Sequence, residues 1–144
     1  MHGRRRALLL RALVGPGLAA LAGAACARPF RFPPPTTPDP GFVQEGIASW
    51  YGPGYHGHQT SSGEVYDQEA MTAAHVSFAF GTQVKVTLLS TGRSVVVRIN
   101  DRFPSHKGRV IDLSRAAARR IGLIGPGTGL VRMEVVRQES ALGR

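Results

Sequence analysis

Residues 82–88 read Thr-Gln-Val-Lys-Val-Thr-Leu, and residues 94–100 read Ser-Val-Val-Val-Arg-Ile-Asn, with Ser90-Thr91-Gly92-Arg93 between them. The first run alternates apolar and polar residues with period two, so it is a strand with one buried and one wet face. The second is a β-branched strand and the four residues between are a turn, so the pair forms a hairpin. Gly129-Leu130-Val131-Arg132-Met133-Glu134-Val135-Val136 is a further alternating strand, and Gly46-Ile47-Ala48-Ser49-Trp50-Tyr51 is a short β-prone run ended by Gly52-Pro53-Gly54. These strands share one stretch of about 90 residues, which holds a single core. Closing them into a small barrel buries their apolar faces and leaves no bare edge. One helix is expected: Ser114 caps Arg115-Ala116-Ala117-Ala118-Arg119-Arg120-Ile121, whose alanines favour helix and whose last-turn arginines suit the negative end of its dipole, and Gly122 stops it. The folded part, 46–137, is therefore read as mainly β.

What precedes it is of another kind. Residues 1–27 open with Arg4, Arg5 and Arg6 and continue as an apolar stretch interrupted by Gly15-Pro16-Gly17. A basic start, an apolar stretch and small residues make a secretory signal. The 14 residues from Ala12 to Ala25 fall short of the ~20 needed for a spanning helix. Ala25-Cys26-Ala27 reads as a cleavage site, while Gly23-Ala24-Ala25-Cys26 resembles a lipobox with Gly23 where Leu is usual. Cys26 is the only cysteine in the chain and so cannot form an internal disulfide. It is the candidate lipid-attachment residue and the candidate membrane anchor. Residues 28–45 contain six prolines and are expected to be a stiff spacer without helix or sheet pairing. Residues 138–144 are read as a short tail.

The formal charge of +9 is concentrated at the start. Without the four arginines of the first 27 residues, 14 basic residues face 9 acidic ones. That modest excess, with no basic run or zinc-finger spacing, argues against nucleic acid as a partner. With 42% hydrophobic and 19% charged residues, the chain is ordinary globular material, not collagen, coiled coil or acidic disordered chain.

Few residues in the folded part can do chemistry. Asp101 follows the 95–99 strand directly, where a rigid scaffold presents functional groups. Asp112, two residues before the helix, is expected to bind turn backbone at the helix start. The loop over residues 52–74 is too long and aperiodic to be a plain connection. It carries Glu64 and Tyr66 and runs into His75. Trp50, Tyr51, Tyr55 and Tyr66 form either a wall that stacks on sugar rings or part of the core. His56 and His58 are a poor start for a metal site without cysteine or helical His spacing, so no metal is expected. A hydrolase trio of Ser61 or Ser62 with His75 and Asp101 lacks the G-x-S-x-G turn. No Gly-rich phosphate loop precedes the helix, and no cofactor is expected.

Six segments carry a resemblance: Gly46-Ile47-Ala48-Ser49-Trp50-Tyr51-Gly52, Thr60-Ser61-Ser62-Gly63-Glu64-Val65-Tyr66-Asp67, Met71-Thr72-Ala73-Ala74-His75, Phe80-Gly81-Thr82-Gln83-Val84-Lys85-Val86-Thr87, Val97-Arg98-Ile99-Asn100-Asp101-Arg102 and Gly108-Arg109-Val110-Ile111-Asp112-Leu113-Ser114. In this order they resemble the rare lipoprotein A family of bacterial septal lytic transglycosylases. The resemblance implies a six-stranded double-psi β-barrel with one or two short helices, the fold of expansins and barwin-like proteins. It implies endolytic cleavage between N-acetylmuramic acid and N-acetylglucosamine in peptidoglycan, with peptide-stripped glycan preferred and a 1,6-anhydro end formed. The family's catalytic Asp falls on Asp101, with Glu64 and His75 in support. Asp101 would be the acid/base, Glu64 would position sugar or stabilise positive charge, and His75 would hold Glu64 or a substrate hydroxyl. Trp50, Tyr51, Tyr66, Asn100 and Arg102 would bind the glycan. An exported monomer of the periplasm or cell envelope is implied. Phe103 stands where the family often has Gly, and the C-terminal peptidoglycan-binding repeat of many relatives has no counterpart before Arg144. The competing reading is an expansin-like module that binds wall polymer without cutting it. A structural lipoprotein linking envelope layers is a third.

Overall fold

The computed structural model describes residues 31–138. Cys26, the leader around it and residues 139–144 lie outside the described residues. The chain forms β1 (Val43–Trp50), β2 (Thr72–Ala74), β3 (Thr82–Leu88), β4 (Ser94–Asp101), β5 (Arg109–Leu113), α1 (Arg115–Ile121) and β6 (Gly129–Gln138). The six strands close into a barrel in the order β1-β5-β2-β4-β3-β6. β1/β5 and β2/β4 pair in parallel, and the other four neighbouring pairs are antiparallel. The two parallel pairs, each spanned by a long crossover, make this a double-psi β-barrel.

Period two fills the barrel. β3 turns Thr82, Val84, Val86 and Leu88 inward, β4 contributes Val95, Val97 and Ile99, and β6 adds Val131, Met133 and Val135. They meet Ala48, Ile111 and Leu113 in one core, where each large aliphatic side chain contributes roughly 1.5–3 kcal/mol by leaving water. In the β3–β4 hairpin Val86 pairs with Val95 and Thr87 with Ser94, and Gly92 supplies the positive φ of the turn. α1 covers one side with Ala116, Ala117, Ala118 and Ile121. Ser114 Oγ accepts from Ala117 N and donates to Ala70 O at 2.6 Å, so the cap also ties the helix to the long loop. Gly122, at φ 83°, closes the helix.

Two strands carry no periodic signal. β2 is three residues long, too short for a period. β5 is buried at four consecutive positions, since core lies on one side and other chain on the other, and alternation vanishes. The spacer also differs from expectation. Strand pairing begins at Val43, inside residues 28–45, and Thr36 forms a parallel bridge to Phe78. Thr36 N donates to Ser77 O and Ala79 N donates to Thr36 O, both at 2.7 Å. Proline removes its own N–H only, so a threonine between Pro35 and Pro38 can still pair. Phe42 packs edge-on against Phe78 at 6.0 Å.

Candidate active site

β4 ends in a slip of register: Ala73 pairs with Ile99 but Ala74 with Asp101, leaving Asn100 as the extra residue. Such a bulge re-aims side chains at a strand end. Upstream of it, Arg98 grips Glu64 with two hydrogen bonds of 2.6 and 2.9 Å, and Asn100 Nδ2 donates to Glu64 Oε2 at 3.1 Å. The hydrogen bonds from Arg98 hold the Glu64 carboxyl below the usual carboxylate range. Arg98 is thereby engaged with Glu64. Beyond the slip, Asp101 Oδ1 accepts from Ser61 N (2.9 Å) and Arg102 N (2.8 Å), and Oδ2 accepts from the Tyr51 hydroxyl (2.8 Å). A carboxylate offers about four lone-pair sites. The remaining one, on Oδ2, is left for a proton or a substrate hydroxyl. Burial, followed by the charge of Asp101, pushes the Tyr51 phenol far above its ordinary range, so Tyr51 stays a donor.

Asp101 opens into a cleft of about 440 Å³ whose lining includes Trp50, Tyr51, Tyr55, Arg102, Phe103 and Asp112, a size usual for small-molecule sites. Tyr55 leans on Tyr51 at 5.6 Å between ring centres, and the Arg102 guanidinium lies 4.0 Å over the Phe80 ring. Of the residues expected at the site, Asp101, Trp50, Tyr51 and Arg102 line this cleft; Glu64, His75, Tyr66 and Asn100 do not. Tyr66 is buried behind Tyr51, 4.8 Å between ring centres, with its oxygen accepting from Arg115 N. Asn100 is buried and holds Glu64.

His75 is 3% exposed. Its Nδ1 accepts from Ser77 N (3.1 Å) and Phe78 N (2.9 Å), and its ring stacks on Phe78 at 3.6 Å. An accepting Nδ1 puts the proton of the neutral ring on Nε2. Burial, then the charge of Arg102, pushes this imidazole down to about 4. Its tie to Asp101 is through backbone, His75 N donating to Asp101 O at 3.1 Å and Arg102 Nη1 to His75 O at 3.2 Å. The partners of Glu64 are Arg98 and Asn100 rather than His75.

Asp112, expected at the helix start, instead belongs to β5 and lines the cleft, with Arg109 Nε 3.0 Å from its Oδ1; Ser114 does the capping. Its burial fits its place in the apolar run Val110-Ile111-Asp112-Leu113, but the cleft it faces is set by pairing with Ala74. Among the described residues no three His, Cys, Asp or Glu side chains gather to hold a metal.

A family model described as lytic transglycolase matches residues 43–135, from the start of β1 into β6. The chain belongs to that family. Similar relatives include the probable endolytic peptidoglycan transglycosylase RlpA of Synechocystis sp., 58% identical over 95 residues, covering 66% of this chain and 30% of that protein. The endolytic peptidoglycan transglycosylase RlpA of Vibrio cholerae is 55% identical over 96 residues (67% and 36%), and that of Campylobacter jejuni 52% over 102 residues (71% and 37%). The chain spans about a third of the length of these curated relatives. Among solved structures, the Streptomyces papain inhibitor superposes with a TM-score of 0.57 at 22% identity, covering 71% of this chain and all of that one. An expansin of Clavibacter michiganensis gives 0.54 at 22%, covering 69% and 53%. These two share the fold. In this lytic transglycolase domain, every cleft residue named above falls within the matched segment.

Proposed function

We propose that this domain is an endolytic lytic transglycosylase of peptidoglycan, working in the periplasm or cell envelope on glycan strands stripped of their peptides. The observation that carries the reading is Asp101, held by three donors in the lining of an aromatic-walled cleft. The relatives named as peptidoglycan transglycosylases supply the polymer. Trp50, Tyr51 and Tyr55 offer apolar faces to the C–H faces of sugar rings, and Arg102 offers charge to the lactyl carboxylate of N-acetylmuramic acid.

Cleaving a glycosidic bond needs a proton on the leaving oxygen as positive charge grows on the ring. Here O6 of the N-acetylmuramic acid attacks its own C1, so the O6 proton must also be taken. Asp101 is the acid/base; in the simplest scheme this one carboxyl does both in turn, because no outside water attacks. Tyr51 fixes its Oδ2 and the Ser61 and Arg102 N–H groups its Oδ1. Glu64, locked to Arg98 and Asn100, is a positioning residue: it holds the 60–64 loop, whose Ser61 N–H reaches Asp101. His75 serves through the backbone of the Asp101–Arg102 segment.

The test is digestion of peptide-free glycan strands by the purified chain, read by mass spectrometry. Fragments with 1,6-anhydro ends are expected, and none from Asp101→Asn. Undiminished cleavage by that variant removes Asp101 from the reaction. Strands of unchanged length with the unaltered chain would leave the expansin-like reading.

A further inference from the structure

The single-carboxyl scheme leaves the second carboxyl of the cleft idle. Asp112 lies on β5, one strand beyond β2 as seen from Asp101. Ala74 of β2 is in register with Asp112 on one side and with Asp101 on the other. Residues in register on adjacent strands present their side chains on one face of a sheet. The two aspartates therefore flank one alanine, and two strand spacings put their Cα atoms about 10 Å apart. Both line the same cleft, room enough for a sugar between them.

The surroundings of the two acids differ. Asp101 accepts three hydrogen bonds. Asp112 is 8% exposed, and its buried Oδ1 accepts none. Arg109 Nε stands 3.0 Å from that oxygen as its ion-pair partner, and neither atom has a hydrogen-bond partner. The charged or titratable groups facing Asp112 are Arg109 from its own strand, His106 from the loop before it, Asp101 from β4 and Tyr51 at the end of β1. Burial outweighs the pull of Arg109 and His106, and the carboxyl rises above the usual carboxylate range. A carboxyl short of donors in a buried place is suited to keep a proton, while Asp101, oriented by its three donors, keeps one lone-pair site on Oδ2 turned to the substrate.

We propose that Asp112 is a second catalytic residue, the proton donor to the glycosidic oxygen, with Asp101 as the acceptor of the O6 proton. This division of labour rests on the transglycosylase reading. The proton of Asp112 passes to O4 of the departing N-acetylglucosamine as the C1–O4 bond breaks. O6 bonds to C1, and its proton passes to Asp101. Asp101 then releases a proton to solvent and Asp112 takes one up, so the pair is restored with no other reagent.

The experiment uses the full chain and two substrates: peptide-free glycan strands, and a nitrophenyl β-glycoside of N-acetylmuramic acid, whose leaving group departs without a proton. With Asp112→Asn, glycan cleavage is expected to fall at least about a hundredfold, the usual worth of a general acid, while release of nitrophenol with anhydro-sugar formation stays within a few-fold of the unaltered chain. With Asp101→Asn both reactions are lost. Unchanged glycan cleavage by Asp112→Asn overturns the proposal and leaves the single-carboxyl scheme standing. Equal loss on both substrates also overturns it, since Asp112 then does not act on the leaving oxygen. No cleavage of either substrate by the unaltered chain overturns the transglycosylase reading and this proposal with it.

Discussion

The buried histidine makes the stability of the domain fall with acid in a calculable way. His75 carries an imidazole pushed from its ordinary 6.5 to about 4 by burial and then by Arg102. In the folded state it stays neutral, with Nδ1 accepting two backbone N–H groups and no room for a second ring proton. In the unfolded chain the same ring takes up a proton as pH drops below about 6.5. Between these two values the unfolded state binds more protons, so stability increases with pH and is lost as pH falls. At about 1.4 kcal/mol per pH unit, the loss is about 2 kcal/mol from pH 6.5 to pH 5 and about 3 kcal/mol by pH 4. Two other groups respond to acid, in opposite senses. Asp112, raised by burial, adds stability as it takes up its proton, and Glu64, lowered by Arg98, costs stability as it takes up its own. Both contributions are shared by a protein altered only at His75, so the difference between the two proteins isolates the histidine. Trp50 is the only tryptophan of the chain, and it packs against the core, so its fluorescence reports unfolding in urea. The comparison is with His75→Asn, whose amide oxygen can still accept from Ser77 N and Phe78 N. That variant starts weaker at pH 7, having lost the stack on Phe78, and its urea midpoint changes less with pH by the share that His75 contributes. Parallel pH slopes for the two proteins would refute the assignment of a neutral, buried His75.

Two further outcomes follow from the same geometry. Tyr51→Phe keeps the ring in the cleft wall but removes the hydroxyl from Asp101 Oδ2; hydrogen bonds to charged groups contribute about 1.5–3 kcal/mol, so kcat on glycan strands should fall about tenfold or more with KM little changed, and an unaltered kcat would exclude Tyr51 from holding Asp101. Gly46→Ala drives a Cβ into Val110 Cγ1 and to 3.0 Å from the Gly108 carbonyl oxygen, where β1 meets β5; overpacking of this kind costs about 1–3 kcal/mol, and thermal melting by circular dichroism should show a Tm lower by about 4 °C or more, an unchanged Tm arguing that β5 can give way.

What the sequence made legible follows the physics of each element. β3, β4 and β6 announce themselves because one face of each is wet, and α1 because Ser114 and Gly122 bracket a run of alanines. β2 and β5 are silent because one is too short and the other is covered on both faces; only the resemblance supplied a count of six strands. Asp101 was visible as a strand-end acid. Asp112 was not, since two residues before a helix is a place where local backbone pairing is the ordinary role. Its actual direction is set by register with Ala74, a long-range fact that no local window holds. Tyr66 and Asn100 were grouped with the glycan-binding residues by their motifs, but depth is decided by what packs outside them, and both lie beneath the cleft's first layer.

The bridge at Thr36 has a mechanical consequence. Two backbone hydrogen bonds fasten the proline-rich segment to residues 77–79, the same short stretch that His75 braces from inside. Thr36 therefore lies on the flank beside Phe78, away from the root of β1. A load borne along residues 31–36 arrives at Ser77, two residues from His75, whose backbone is bonded to Asp101.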